Sequence, residues 1–202
     1  MKYRCIKRII DRICSNIEGI RRELIMESFF SSLLHCGTNT QVYDPFIITN
    51  PDRVSLGNNV TILENSRIQT YDRGVVSIGD GCYIGYRFTI LAGGDVIVGN
   101  NVLIASDVGV FSENHGMDPL IDDSYMHQSL ICEDVYIGEG CWIGESVKIL
   151  PGVKIGERSI IGAGSVVTRA IPAYCIAAGN PARVVKTFNQ DTKEWEKVAI
   201  IV

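Results

Sequence analysis

The sequence predicts an all-β solenoid, a prism of stacked three-sided coils, and three observations carry that prediction. From Ile131 a branched apolar residue returns at every sixth position: Ile131, Ile137, Ile143, Ile149, Ile155, Ile161 and Val167. Four residues after each of the first six stands a small or β-branched one, Val135, Cys141, Val147, Val153, Ser159 and Ser165, with Gly often second in the hexad. Upstream the hexads fall in threes, at Leu56, Ile62 and Ile68, at Ile78, Ile84 and Ile90, and at Val98, Ile104 and Val110. At about 3.6 residues per turn a helix would scatter this column around its axis. Short strands joined by turns that need Gly, Asn or Asp accommodate it, each hexad forming one side of a coil with the apolar column inside.

Composition fits one such solenoid with terminal extensions: 202 residues, 46% hydrophobic and 21% charged, carry no signature of disorder. The expected organisation is an N-terminal amphipathic helical segment at 1–35, the solenoid at 36–186 with an active-site excursion at 111–130, and a C-terminal extension at 187–202. A net charge of −4 and the lack of an arginine-rich face argue against a nucleic-acid partner. Seven cysteines contain no CxxC pair, which supports neither a zinc knuckle nor a disulfide framework. Cys82 and Cys141 fall at the small inward position, where a thiol serves as a compact hydrophobe. The expectation is a reducing cytoplasm, with no secretory leader and no membrane-spanning run.

In chain order, Ile6, Ile9, Ile10, Ile13, Ile17, Ile20, Leu24 and Ile25 recur at helical spacings within Lys2–Leu34. Lys2, Arg4, Lys7, Arg8 and Arg12 against Asp11 suit an anionic membrane surface, at the inner face of the membrane; packing on the prism end or on a neighbouring subunit is the other reading. Residues 35–55 read as a loop or irregular first coil. Extra residues at 69–77 and 91–97 read as bulged corners. The excursion FSENHGMDPLIDDSYMHQSL interrupts the array and holds His115 and His127, two of three histidines. Long loops thrown out of a compact domain are usually functional. After Val167, Pro172, Pro181 and the Gly179–Asn180 pair end the regular stacking, and Arg183 and Lys186 place two cations beside the last coil.

These hexads, the histidine-bearing excursion, IGAGSVVT at 161–168 and AAGNPARVVK at 177–186 resemble the hexapeptide-repeat acyltransferases. Within them the chain is most similar to sugar and polysaccharide O-acetyltransferases related to maltose and galactoside acetyltransferases, over about residues 54–188. The resemblance implies a left-handed parallel β-helix, a hand that runs against the usual rule for parallel crossovers. It also implies a homotrimer with sites between neighbouring prisms, acetyl-coenzyme A as acyl donor, a sugar or glycan acceptor, and no required metal. Moving an acetyl group from a thioester to a hydroxyl needs a base for the hydroxyl proton, and a neutral imidazole has a suitable pKa. His115 matches the family's base. Glu113, Asn114 and Asp118 beside it are the candidate substrate contacts, with Glu113 or Asp118 also candidates to orient the ring; solvated loop carboxylates are the plainer reading of both.

For the donor, Trp142 matches the family's indole beside the active site, though coil-corner packing would also account for it. Ala163 and Thr168 match positions that meet the pantetheine arm. Glu145 stands where relatives often carry a small hydroxyl residue, and Arg183 and Lys186 match cations near the nucleotide phosphates. The galactoside and maltose branch carries an inward asparagine near the coil where this chain has Gly85 and Arg87, whereas the Lys2–Leu34 region resembles the polysaccharide-modifying branch. Two alternatives are an antibiotic-modifying xenobiotic O-acetyltransferase, to which NHGMD is similar, and a non-catalytic scaffold, whose mark would be loss of His115. A gamma-class carbonic anhydrase needs three zinc-binding histidines. Here His115 and His127 lie twelve apart and His35 is expected outside the repeats.

Overall fold

The computed structural model describes residues 19–21 and 23–198. Three parallel sheets wind into a left-handed β-helix of about seven coils. The first face is built from His35–Cys36, Val54–Leu56, Val76–Ile78, Val96–Val98, Val135–Ile137 and Lys154–Ile155. The second runs through Gln41–Val42, Thr61–Ile62, Tyr83–Ile84, Leu103–Ile104, Trp142–Ile143 and Ile160–Ile161 to Cys175–Gly179. The third holds Ile47–Thr49, Arg67–Thr70, Thr89–Ala92, Gly109–Phe111, Lys148–Ile149 and Val166–Val167.

The coils stack without slipping. Ile84, Ile104, Ile143 and Ile161 are successive partners on the second face, and Ile68, Ile90, Val110, Ile149 and Val167 on the third. All of these are buried, so the period of six lines the prism interior as expected. The small inward position does more than fill space. Ser159 Oγ donates to the Pro172 carbonyl at 2.7 Å, Ser165 Oγ to Gly162 at 2.6 Å, and the Cys82 and Cys141 thiols to Gly99 and Gly156 at 3.1 Å. Burial pushes both thiols up, which keeps them protonated donors. At the corner between the first two faces, Asn39, Asn59, Gly81, Asn101 and Gly140 all have φ between +54° and +68°. That conformation suits Asn and Gly, which is why the hexads carry them there.

Three expectations change. Residues 35–55 are a regular first coil: His35–Cys36, Gln41–Val42 and Ile47–Thr49 each pair in parallel with the coil above, so His35 lies inside the repeat array. Ile131 leaves the interior column. It is 45% exposed and pairs antiparallel with Asn114, so its sixfold spacing is coincidental. Of the helix expected over Lys2–Leu34, the described part covers residues 19–21 and 23–32, and Leu34 is already bonded to the Val54 carbonyl at 3.0 Å. The cations expected at Lys2, Arg4, Lys7, Arg8 and Arg12, with Cys5 and Cys14, lie outside the described residues.

That helix has two apolar sides. Met26, Phe29, Phe30 and Leu33 pack on the first coil, with the Phe29 and Phe46 rings 4.7 Å apart, while Ile20, Leu24 and Ile25 stay more than half exposed. At the other end Cys175–Gly179 adds the last parallel strand, then reverses through Asn180–Pro181 into Ala182–Asn189 and Glu194–Lys197. The parallel stacking therefore runs one strand past Pro172 before it ends.

The two positions that sequence periodicity treats alike should respond oppositely to charge. Ile143→Asp puts an unpaired carboxylate in the interior at a cost of several kcal/mol and should yield no folded protein. Ile131→Asp should express and melt near the wild-type temperature. Thermal melts of the two variants check the assignment, and a well-folded Ile143→Asp protein would mean the register is wrong.

Candidate functional site

The excursion grows from the corner between the third and first faces. Ser112 is fully buried there and donates through Oγ to the Gly94 carbonyl at 2.7 Å, which anchors the point of departure. Glu113–Asn114 then pairs antiparallel with Ile131–Cys132, so the expected open loop stands on a two-stranded stem. His115 follows the stem directly and is exposed, bordering a pocket of about 440 Å³ with Asn114, Gly116, Met117 and Tyr125.

Beyond His115 the excursion uses its polar groups on itself. The Gln128 carboxamide donates to the Asp118 carbonyl at 2.9 Å and accepts from the Asp118 amide at 3.0 Å, and Asp118 Oδ1 accepts from Leu120 N at 2.9 Å. Asp123 holds His127 Nδ1 at 2.9 Å, and Ser124 caps the short helix Tyr125–His127. Asp118 and His127 are thereby committed to folding the excursion. The large side chains Met117, Leu120, Tyr125 and Met126 are turned out, Leu120 with 90% of its surface exposed. Among the carboxylates of the excursion Glu113 differs in that it is half-buried and its Oε2 has no hydrogen-bond partner.

The donor-side candidates gather elsewhere, on the second face. One outward register line runs Tyr83, Leu103, Trp142, Ile160, Ile176, Lys186, Lys197. From Trp142 to Lys186 is three strand spacings, about 14 Å. Arg183 joins the same side for a reason no spacing rule supplies. Residues three apart on a regular strand point oppositely, but a bulge sets Lys186 opposite Ile176 and Arg183 opposite Ala178, two residues on one outward face. Glu145 and Ala163 occupy adjoining coils at the corner after this face, where the Gly164 amide donates to the Glu145 carbonyl at 2.7 Å. Gly162, Ala163 and Gly164 leave that corner without bulky side chains, which fits close approach of a slender ligand. Thr168 does not join this group; it follows the third-face strand Val166–Val167.

The excursion and the Trp142 line therefore sit on opposite sides of the prism, the corner between third and first faces being the one across from the second face. One chain does not bring His115 and Trp142 together. Tyr83 and Leu103, 46% and 44% exposed in line with Trp142, were missed from sequence. The available signal was a large apolar residue just ahead of the column isoleucine in the middle hexad of a coil. A Cβ on Gly85 would lie 2.7 Å from Ser106 N, so that position takes no side chain. Arg87 grips Asp107 through two hydrogen bonds of 2.7 and 2.6 Å, holding that carboxyl below its usual range. Among the described residues no three His, Cys, Asp or Glu side chains converge as a metal site.

A family model described as "Bacterial transferase hexapeptide (six repeats)" matches residues 134–169. The chain is 35% identical to the putative lipopolysaccharide biosynthesis O-acetyl transferase WbbJ of Escherichia coli K12, over 92% of this chain and 94% of that one. It is 38% identical to the galactoside O-acetyltransferase of the same organism, over 59% of this chain and 58% of the relative. Among solved structures it is similar to AntD, an N-acyltransferase from Bacillus cereus in complex with dTDP and 3-hydroxybutyryl-CoA. The TM-score is 0.68 at 26% identity, covering 85% of this chain and 90% of AntD.

Proposed function

The chain belongs to the hexapeptide-repeat acyltransferases, and we propose that it moves an acetyl group from acetyl-coenzyme A to a sugar hydroxyl, in a surface polysaccharide or its precursor. The observation that carries this is the placement of His115, an exposed imidazole at the mouth of a pocket and held by a hairpin stem, in a chain similar to WbbJ along nearly its whole length. In the reaction the acceptor oxygen attacks the thioester carbonyl while His115 takes its proton. The C–S bond then breaks, and the imidazolium returns the proton to the departing thiolate. Direct transfer requires no covalent acyl-enzyme. Backbone N–H groups are the expected oxyanion donors.

The second face suits the donor. Trp142 and Ile160 offer an apolar floor, the glycines and Ala163 of the corner leave space for the pantetheine arm, and Arg183 and Lys186 supply cations about 14 Å along the same face. Glu145 borders the arm, and its charge acts weakly on Arg87. Thr168 lies two coils from the excursion stem and on its side of the prism, so it would meet donor only across an interface. This arrangement supports a ring of identical chains. The outward apolar excursion of one copy would cover the exposed Tyr83–Leu103–Trp142 line of the next, and two different complementary surfaces close into a ring when the rotation permits. A homotrimer with His115 of one prism facing Trp142 of another satisfies both surfaces, and Glu113, Asn114 and Asp118 would border the acceptor.

At the prism's first coil, the open Ile20–Leu24–Ile25 side of the helix continues the apolar pattern of a segment whose first twelve residues carry five cations and one anion. We place it against an anionic membrane surface, at the cytoplasmic side, where a lipid-linked glycan would be presented.

Three outcomes are expected. His115→Ala should lower kcat at least about 10²-fold with the melting temperature unchanged, measured as thiol release with monosaccharide, nucleotide-sugar and antibiotic acceptors. Turnover restricted to the antibiotics would favour the xenobiotic reading. Replacing Arg183 and Lys186 together by Ala should raise KM for acetyl-coenzyme A with kcat nearly constant, and the effect should shrink at high salt. Equal losses toward acetyl-pantetheine, which lacks the nucleotide, would remove the phosphate role. Finally, Ile20→Glu with Leu24→Glu should abolish co-sedimentation with phosphatidylglycerol vesicles. No sedimentation of the wild-type protein would dismiss the membrane contact.

A further inference from the structure

We propose that Glu113 is the residue that positions the catalytic imidazole: its carboxylate accepts a hydrogen bond from one ring nitrogen of His115 and balances the imidazolium formed as the other takes the acceptor's proton. The inference rests on His115 as the base. Its geometry comes from the stem. The strand ends at Asn114 and His115 is the next residue, two positions from Glu113, so an imidazole that continues the extended alternation of the stem would fall on the Glu113 side. Glu113 stands opposite Cys132 in the antiparallel pair, and beneath both lies Gly93. A Cβ on Gly93 would fall 2.7 Å from Glu113 Oε2 and 2.6 Å from Cys132 Sγ. The missing side chain is what lets this carboxyl tuck against the prism.

A buried carboxylate oxygen with no donor is costly, and proteins rarely keep one without a use. Burial pushes the Glu113 carboxyl up from its ordinary range, and the charge of His115 pulls it back down. The other titratable group against it is the Cys132 thiol, itself pushed up by burial, with Asp72, Arg73 and Asp134 grouped behind. Arg73 is held by Asp134 at 3.0 Å. The remaining acids of the excursion that make side-chain bonds have other work, Asp118 capping Leu120 and Asp123 holding His127. His115 is thus the cation that acts on Glu113 among the described residues. The proton accounting needs no further group: the hydroxyl proton passes to His115 and then to the thiolate, and Glu113 stays ionised throughout.

Glu113→Gln tests this because function and packing predict opposite signs. The folded carboxyl is raised above its unfolded value, so ionising it weakens the native state, and the penalty grows as pH rises through the carboxylate range. The amide should therefore raise Tm by roughly 2 °C at neutral pH and leave it unchanged at acid pH, where Glu113 is already protonated. At the same time kcat should fall at least about tenfold, and the acid limb of kcat/KM should move to lower pH by roughly one unit, since an anion that favours the imidazolium has been removed. Glu113→Asp should recover part of the rate. Gly93→Ala, which crowds the carboxyl and the Cys132 thiol without altering either group, should lower kcat with KM for acetyl-coenzyme A unchanged. His115→Ala is measured alongside. If that variant keeps near-wild-type turnover, the base assignment and this inference both fail; if it is inactive while Glu113→Gln turns over normally with an unmoved pH profile, this inference alone fails. A Glu113→Gln protein that loses stability and rate together would make Glu113 a packing residue and overturn the proposal.

Discussion

The structure depends on one constraint, that every coil hydrogen-bonds to the next in an unshifted parallel register. Because partners such as Ile84, Ile104, Ile143 and Ile161 lie directly above one another, each inward side chain meets the same residue type a coil away. The interior can therefore be filled by one repeated solution. Small inward residues add to it by donating to corner carbonyls, as Ser159, Ser165, Cys82 and Cys141 do, so the turn that interrupts each face leaves few buried acceptors unmet.

The same register organises the exterior. Outward residues on one face form a straight line rather than a scatter, which is how Tyr83, Leu103 and Trp142 become one apolar strip and how Lys186 comes to stand above it. A flat face carries no enclosed pocket, so a ligand laid along it would need a second wall. The outward-turned excursion, with its polar groups spent on internal bonds, has the character of such a wall for a neighbouring copy. Rigid coils and an internally bonded excursion also limit what chemistry must be ordered at the moment of reaction.

Departures from the register mark the places where chemistry is plausible. The stem Glu113–Asn114 with Ile131–Cys132 turns the chain antiparallel for two residues and leaves Glu113 half-buried with an unmet oxygen. The bulge in Ala182–Asn189 turns two cations to one side. In both, a small local irregularity redirects side chains that the repeat would have placed differently.

The sequence by itself determined the solenoid, its inward column and the site of the excursion, because a period of six is written directly in residue types and burial enforces it at each step. It did not distinguish Ile131 from Ile137, since a hairpin stem and a coil strand can present the same spacing and only the pairing partner separates them. Nor did it decide between a loop and a coil for residues 35–55, where the inward positions hold Val42 and Ile48 without the glycine-led hexads found later. The separation of His115 from Trp142 by the width of the prism, the alignment of Tyr83 and Leu103 with Trp142, the bulge that gathers Arg183 and Lys186, and the room Gly93 leaves for Glu113 were decided by tertiary structure. Each depends on which residue of one coil stands against which residue of another, and distance along the chain carries no information about that.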